Sequence, residues 1–191
     1  MKKNILQQTP SQTVGPFFAY GLTSEQYGYD YPSVVSPKMI KGNLKGTRIR
    51  LSGRVFDGEN NPLNDAVLEI FQADPNGNYG TKTNEGIFGF GRSGTGANLD
   101  HTYNFETLKP GSNAKTEAPH LNLTLFARGI QNHLYTRIYF PEDKSLFETD
   151  HVLKKLNSSL RQRLTARSTE PGHYVFDIYL QGKNETVFFD V

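Results

Sequence analysis

From residue 47 onward the chain alternates apolar and polar residues in short runs, each closed by Gly, Pro, Asn or Asp, a rhythm that leaves little room for anything but sheet. In "RIRLSGRVFDG", Ile49, Leu51, Gly53 and Val55 share one face and Arg48, Arg50, Ser52 and Arg54 the other, until Asp57-Gly58 with Asn60, Asn61 and Pro62 turns the chain. "DAVLEIFQAD" follows as a buried strand ended by "DPNGN", and "TYNFETLKPG" sets Tyr103 and Phe105 on one face before a Pro-Gly stop. "LNLTLFARG", "HLYTRIYF", "GHYVFDIYL" and "ETVFFDV" complete roughly seven strands, the last with Val187 and Phe189 sharing a face. The expectation is an all-β fold, an antiparallel β-sandwich. One segment departs from it: between Pro141 and Ser168, Val152, Leu153 and Leu156, then Leu160 and Leu164, recur at helical spacing. This predicts one or two short helices on the sandwich edge, with Asp150 and Ser158 or Ser159 as candidate N-caps.

The first 46 residues are different. Pro10, Pro16, Pro32 and Pro37 interrupt them, neither periodicity persists, and the stretches "GPFFAYG" and "EQYGYDYP" are rich in aromatic residues. Disordered segments avoid aromatics, so residues 1–46 are expected to be an ordered, extended N-terminal arm lying on a partner chain. An arm folded back on its own core fits the same residues. A length of 191 residues suits one sandwich domain, 47–191, carrying that arm.

Composition narrows the function classes. With 21 basic and 19 acidic side chains the formal charge is +2, and no block of like charge supplies a nucleic-acid or membrane footprint. The absence of cysteine excludes disulfides, thiolate metal sites and a Cys nucleophile. "MKKNILQQTPSQT" has lysines but lacks the apolar run of a signal peptide, and no stretch approaches a membrane span, so a soluble cytoplasmic protein is expected.

Common motifs fail on context. "GFGRSG" matches G-x-G-x-x-G at Gly89, Gly91 and Gly94, but strand rather than helix follows, leaving no helix dipole for a phosphate. The three N-x-S/T sequons, at Asn122, Asn157 and Asn184, lack a secretory signal, and no nucleophile elbow is present. His101, His120, His133, His151 and His173 are scattered, without an H-E-x-x-H spacing. In "APHLNLTLFARG", however, His120 and residue 122 project from one strand face, where a second histidine would complete a metal pincer; residue 122 is asparagine.

"TPSQTVGPFF", "EIFQADPNGNY", "TLKPG", "APHLNLTLFARGI", "HLYTRIYF" and "FDIYLQGKNETVFFDV", in this order over essentially the whole chain, together resemble the intradiol ring-cleaving dioxygenases, and within them the alpha-type subunits of the enzymes that open protocatechuate. The catalytic beta subunits of that family hold ferric iron (Fe3+) with two tyrosinates and two histidines, the histidines from a "PAHIH"-like strand. Here His120 corresponds to the first histidine and Asn122 to the second; "PGSNAK" lacks the tyrosine of the beta-type "PGPYPW", and "GTKTNEGIFGFGR" lacks the other.

The resemblance therefore implies a subunit with no metal ligands and no catalytic residue of its own. Iron would come from a homologous beta subunit in a hetero-oligomer of αβ protomers, which would cleave protocatechuate with O2 to 3-carboxy-cis,cis-muconate in the beta-ketoadipate route of aromatic catabolism. It further implies that Thr13, Gly15, Pro16 and Phe17 line the substrate pocket, with Phe17 where the family often has tyrosine, and that Arg128 favours the substrate carboxylate. Two other functions fit the same residues: a free-standing β-sandwich binding module, and an iron enzyme drawing on other members of the ten tyrosines.

Overall fold

The computed structural model describes residues 7–96 and 98–190. Its strands are β1 Arg48–Gly53, β2 Val55–Phe56, β3 Val67–Gln72, β4 Lys82–Thr83, β5 Gly86–Ile87, β6 Phe90–Gly94, β7 Tyr103–Leu108, β8 His120–Phe126, β9 Leu134–Tyr139, β10 Arg167–Glu170, β11 His173–Val175 and β12 Ile178–Tyr179. Two four-stranded sheets, β10-β11-β1-β7 and β6-β3-β8-β9, carry the architecture, with small β12-β2 and β4-β5 pairs beside them. The alternation seen in the sequence is what joins the sheets. Ile49 and Leu51 of β1 and Tyr103 and Phe105 of β7 meet Leu68 and Ile70 of β3 and Leu121, Leu123 and Leu125 of β8 in one buried core. Tyr103 keeps its hydroxyl satisfied there by donating to the Phe176 carbonyl oxygen at 2.5 Å.

The sandwich is as expected, but its pairings are not all antiparallel: β1 runs parallel to β11 and β2 parallel to β12. Parallel neighbours need a long connection, and here almost the whole sandwich, β3 to β10, lies between the partners; a helical excursion follows β9. Two 3-10 turns, Pro141–Leu146 and Leu153–Lys155, and one short helix, α2 Ser158–Arg163, form that excursion. The cap of α2 is Asn157, whose side chain accepts the Leu160 N–H at 2.9 Å; the serines 158 and 159 expected to do this lie inside the helix. Asp150 does cap a turn, accepting the Val152 and Leu153 N–H groups at 2.9 Å each. The excursion closes a second apolar cluster of Ala118, Tyr139, Phe147, Leu153 and Leu164 on the outer face of the β8-β9 pair. Of "ETVFFDV", residues 185–190 make a single bridge, Tyr135 to Phe189, instead of a strand, and the final residue lies outside the described residues; Val187 and Phe189 still pack together onto the second cluster.

The arm divides at Phe18. Its first six residues, which include both lysines of the N-terminal sequence, lie outside the described residues. Beyond Phe18 it is not uniformly extended: Phe18–Leu22 forms helix α1 and Ser24–Tyr27 a 3-10 turn. Five residues are too few to leave a period in the sequence, and packing rather than propensity holds them. This part lies on its own sandwich, with Met39 buried in the main core and Gln26 Oε1 accepting the Gly94 N–H of β6. Residues 7–17 stay almost wholly exposed.

Candidate functional site

Two places on the sandwich carry the residues singled out above, and strand β8 separates them. At its start, His120 and Asn122 alternate with Leu121 and Leu123, so the latter enter the core and the former face outward. His120 is buried, and its Nδ1 lies 2.9 Å from the Ala118 carbonyl oxygen; since a carbonyl only accepts, Nδ1 carries the proton. Burial, and then the Arg137 guanidinium, lower its pKa, so the ring is neutral. The Asn122 side chain is already committed: Nδ2 donates to the Phe71 carbonyl oxygen at 3.2 Å and to the Tyr79 hydroxyl at 3.1 Å.

Around this pair the side chains form a polar network, in which the buried His120 Nε2 alone of the pair's ring nitrogens has no hydrogen-bond partner among the described residues. Arg137, opposite Asn122 on β9, donates to Glu117 Oε1 at 3.2 Å and to the Tyr139 hydroxyl at 3.4 Å, and Tyr139 in turn donates to Asp150 at 3.4 Å. The donor set does not suit ferric iron. That ion prefers phenolate oxygen, whereas burial raises the pKa of both Tyr79 and Tyr139, the tyrosines nearest the pair, and keeps them as phenols. A guanidinium among them opposes a further cation, and among the described residues no cluster of three or more His, Cys, Asp or Glu is arranged for a metal.

Strand β8 carries the chain about 20 Å from His120 to Phe126, and the second place lies just beyond. Gly129, at φ +89°, turns the chain in a conformation glycine adopts without strain, and its N–H donates to Thr13 Oγ1 at 2.8 Å. The arm tip is thereby tied to the turn holding Arg128. A cavity of about 160 Å3 lies between them, lined by Gln12, Val14, Phe18, Phe126, Ile130 and His133. Phe17 is 78 % exposed beside the cavity lining, and the position of Gly15 has open space where a side chain would stand. Arg128 is half exposed, and its Nε donates to Asp65.

Further aromatic residues brace this rim from behind. Tyr20 sits 6.3 Å from Phe17 and 4.3 Å from Tyr27, ring centre to ring centre. Tyr27 donates to the Asn64 carbonyl oxygen at 3.1 Å, and burial, then the Asp65 charge, push its pKa up to about 12. A Cβ at Gly96 would fall 2.0 Å from the Tyr27 ring, so only glycine admits it. Thr13 is therefore tied to the turn beside Arg128, and Gly15, Pro16 and Phe17 follow it as exposed residues of the arm, while His120 and Asn122 belong to another place.

The family model described as Dioxygenase matches residues 32–182. Over 97 % of its length this chain is 44 % identical to the protocatechuate 3,4-dioxygenase alpha chain of Burkholderia cepacia, covering 98 % of that protein. This chain belongs to the dioxygenase family, among its alpha-type members. The beta chain of the Burkholderia cepacia dioxygenase is a homologue too, 32 % identical over 76 % of this chain and 69 % of its own length. Among solved structures, the dioxygenase domain of a carbohydrate-binding fusion protein from Streptomyces sp. SirexAA-E superposes with a TM-score of 0.60 at 24 % identity, covering 95 % of this chain and all of that one, and so supports the fold.

Within this dioxygenase fold, sequence reasoning missed Asp65, Tyr20 and Tyr27 at the rim and Glu117, Arg137 and Tyr139 in the network, and found Asp150 only as a cap. Asp65 opens "DAVLEIFQAD", where the sequence marks only the start of a strand, and its partner Arg128 is 63 residues away. Arg137 carried a usable signal, a charged residue on the outer side of a strand opposite Asn122, but only the β8-β9 register makes them neighbours.

Proposed function

We propose that this chain is the alpha subunit of a heteromeric protocatechuate 3,4-dioxygenase, and that its arm tip and the turn at residues 126–133 complete the substrate pocket of a homologous beta subunit that holds the iron. The complex cleaves protocatechuate with O2 between the two hydroxyl-bearing carbons, giving 3-carboxy-cis,cis-muconate. The observation that carries this is the separation of the two places. The position matching the iron site is filled by a committed amide, a neutral imidazole and an Arg137–Glu117 ion pair. Thr13 instead bonds the turn that follows Arg128, and Phe17 and Arg128 are exposed, where a second chain has access.

In that role each group has limited work. Arg128 offers charge-assisted hydrogen bonds to the substrate carboxylate. Phe17 presents a ring that packs on an aromatic substrate and excludes water, and Gly15 leaves room for the close approach of a ligand. The Thr13–Gly129 bond fixes arm against turn, so that both are presented as one preorganised surface.

The test is to express the chain alone and together with a beta-type chain. Alone it is expected to elute as a colourless, inactive protein. Together the two should co-elute as a coloured oligomer that consumes O2 with protocatechuate. An active, iron-bearing oligomer of this chain by itself would overturn the assignment, and failure to co-elute would favour a free-standing sandwich module, whose docked arm beyond Phe18 is the feature in its favour.

A further inference from the structure

Arg128 is not a free surface arginine. Asp65, on the turn before β3, has a side chain only 11 % exposed and takes the Nε edge of a guanidinium that is 54 % exposed. Among the described residues this is the guanidinium's one hydrogen bond, so its terminal Nη1 and Nη2 groups point on without a partner of their own chain. A guanidinium has two edges that fit a carboxylate, the Nε side and the Nη1/Nη2 end. Engaging the first fixes the plane of the group and leaves the second for a ligand.

The surroundings of Asp65 are built to hold it still. Its neighbour Asn64 receives the Tyr27 hydroxyl, Tyr27 packs on Tyr20 and into the space left by Gly96, and the next residue, Ala66, is buried and donates its N–H to Thr95 Oγ1 at 3.1 Å. Such an arrangement has a cost for anion binding, because the Asp65 charge cancels part of the field of Arg128. It makes sense where orientation matters more than field, as it does for end-on recognition of a planar carboxylate on a rigid ring.

We propose that Asp65 is a positioning residue: by holding the Nε edge of Arg128 it aims the terminal edge at the carboxylate of the dihydroxybenzoate substrate, and so sets the preference for carboxylated over plain catechols. This rests on the substrate-pocket role given to Arg128 above. The experiment uses the complex with the beta-type chain, purified by size exclusion so that only assembled protein is assayed, with protocatechuate and catechol as the two substrates.

Asp65→Ala is expected to raise KM for protocatechuate roughly fivefold with kcat within about twofold, and to leave KM for catechol unchanged. Asp65→Asn, whose amide oxygen still accepts from Nε without the charge, should restore KM to within about twofold of the parent, or below it. Arg128→Ala should raise KM for protocatechuate at least as much as Asp65→Ala, and the double variant no further than Arg128→Ala alone. If Arg128→Ala raises KM and Asp65→Ala does not, the positioning role is wrong and the pocket role of Arg128 stands. If Arg128→Ala changes neither substrate, the pocket role itself fails. Equal losses for both substrates, or an Asp65→Asn as impaired as Asp65→Ala, would make Asp65 merely structural. Asp65→Ser replaces the alanine variant should that one not assemble, and failure of both to assemble would likewise overturn the proposal.

Discussion

Asp150 shows how one side chain organises the region around His120. Fully buried, it accepts the Ala118 N–H at 3.0 Å, the Val152 and Leu153 N–H groups at 2.9 Å, and the Tyr139 hydroxyl at 3.4 Å. Burial pushes its pKa up, but the backbone bonds from Leu153, Ala118 and Val152 outweigh burial and leave it lowered. A carboxylate with a lowered folded pKa contributes stability that is fully present above its unfolded pKa, near 3.9, and lost as pH falls through the folded value. Asp150→Ala should cost about 2–4 kcal/mol at neutral pH, because three N–H groups, two of them buried, lose their acceptor, and urea titrations below about pH 4 should show a shallower acid loss than in the parent. His120 acts in a separate window. Its folded pKa is lowered, so the unfolded chain takes up a proton that the folded one refuses, and stability should decline as pH falls below about 6.5. His120→Gln should remove that slope and leave the one below pH 4 in place; an unchanged slope would show that another group titrates there.

At the level of elements, the excursion between β9 and β10 shows local and tertiary terms dividing the work. Its helix α2 is six residues long, too short to stand alone, and depends on the Asn157 cap and on the Arg161 guanidinium, which donates from Nε to the Leu153 and Leu156 carbonyl oxygens at 2.8 and 2.9 Å. Asn157→Ala should cost about 1 kcal/mol, and Ser158→Ala or Ser159→Ala less than about 0.5 kcal/mol, read from chemical denaturation midpoints. In the sheets the balance reverses. Leu123, on the central strand β8 with partners on both sides, sits where truncation to alanine should cost about 2–5 kcal/mol. The outward neighbour Thr124 is the control, expected to tolerate alanine within about 1 kcal/mol.

For the whole molecule, the division of the arm at Phe18 gives the sharpest expectation. Removing residues 1–17 deletes the arm tip, of which residues 7–17 are mostly exposed, and should leave thermal unfolding of the chain within about 2 °C of the parent. The same truncation should abolish or sharply weaken co-elution with the beta-type chain and the activity of the mixture. Removing residues 1–46 also withdraws Met39 from the core and Gln26 from β6, and should lower stability by at least the 2–5 kcal/mol typical of losing one large buried side chain. Equal effects of the two truncations would mean that the tip is a structural element of its own sandwich. No helix among the described residues is long and apolar enough to cross a membrane.

The sequence by itself determined the sandwich, because side-chain period and turn chemistry are local: alternation in "RIRLSG" and "LNLTLF" is enough to decide which residues enter a core. It also determined that His120 and Asn122 share a face, since two residues apart on a strand means one side. Tertiary structure alone decided the parallel partners of β1 and β2, the arm's division at Phe18, and the company Arg128 keeps. Those depend on which distant segments come to lie side by side, and a contact between residues 65 and 128 leaves no trace in the local pattern around either one.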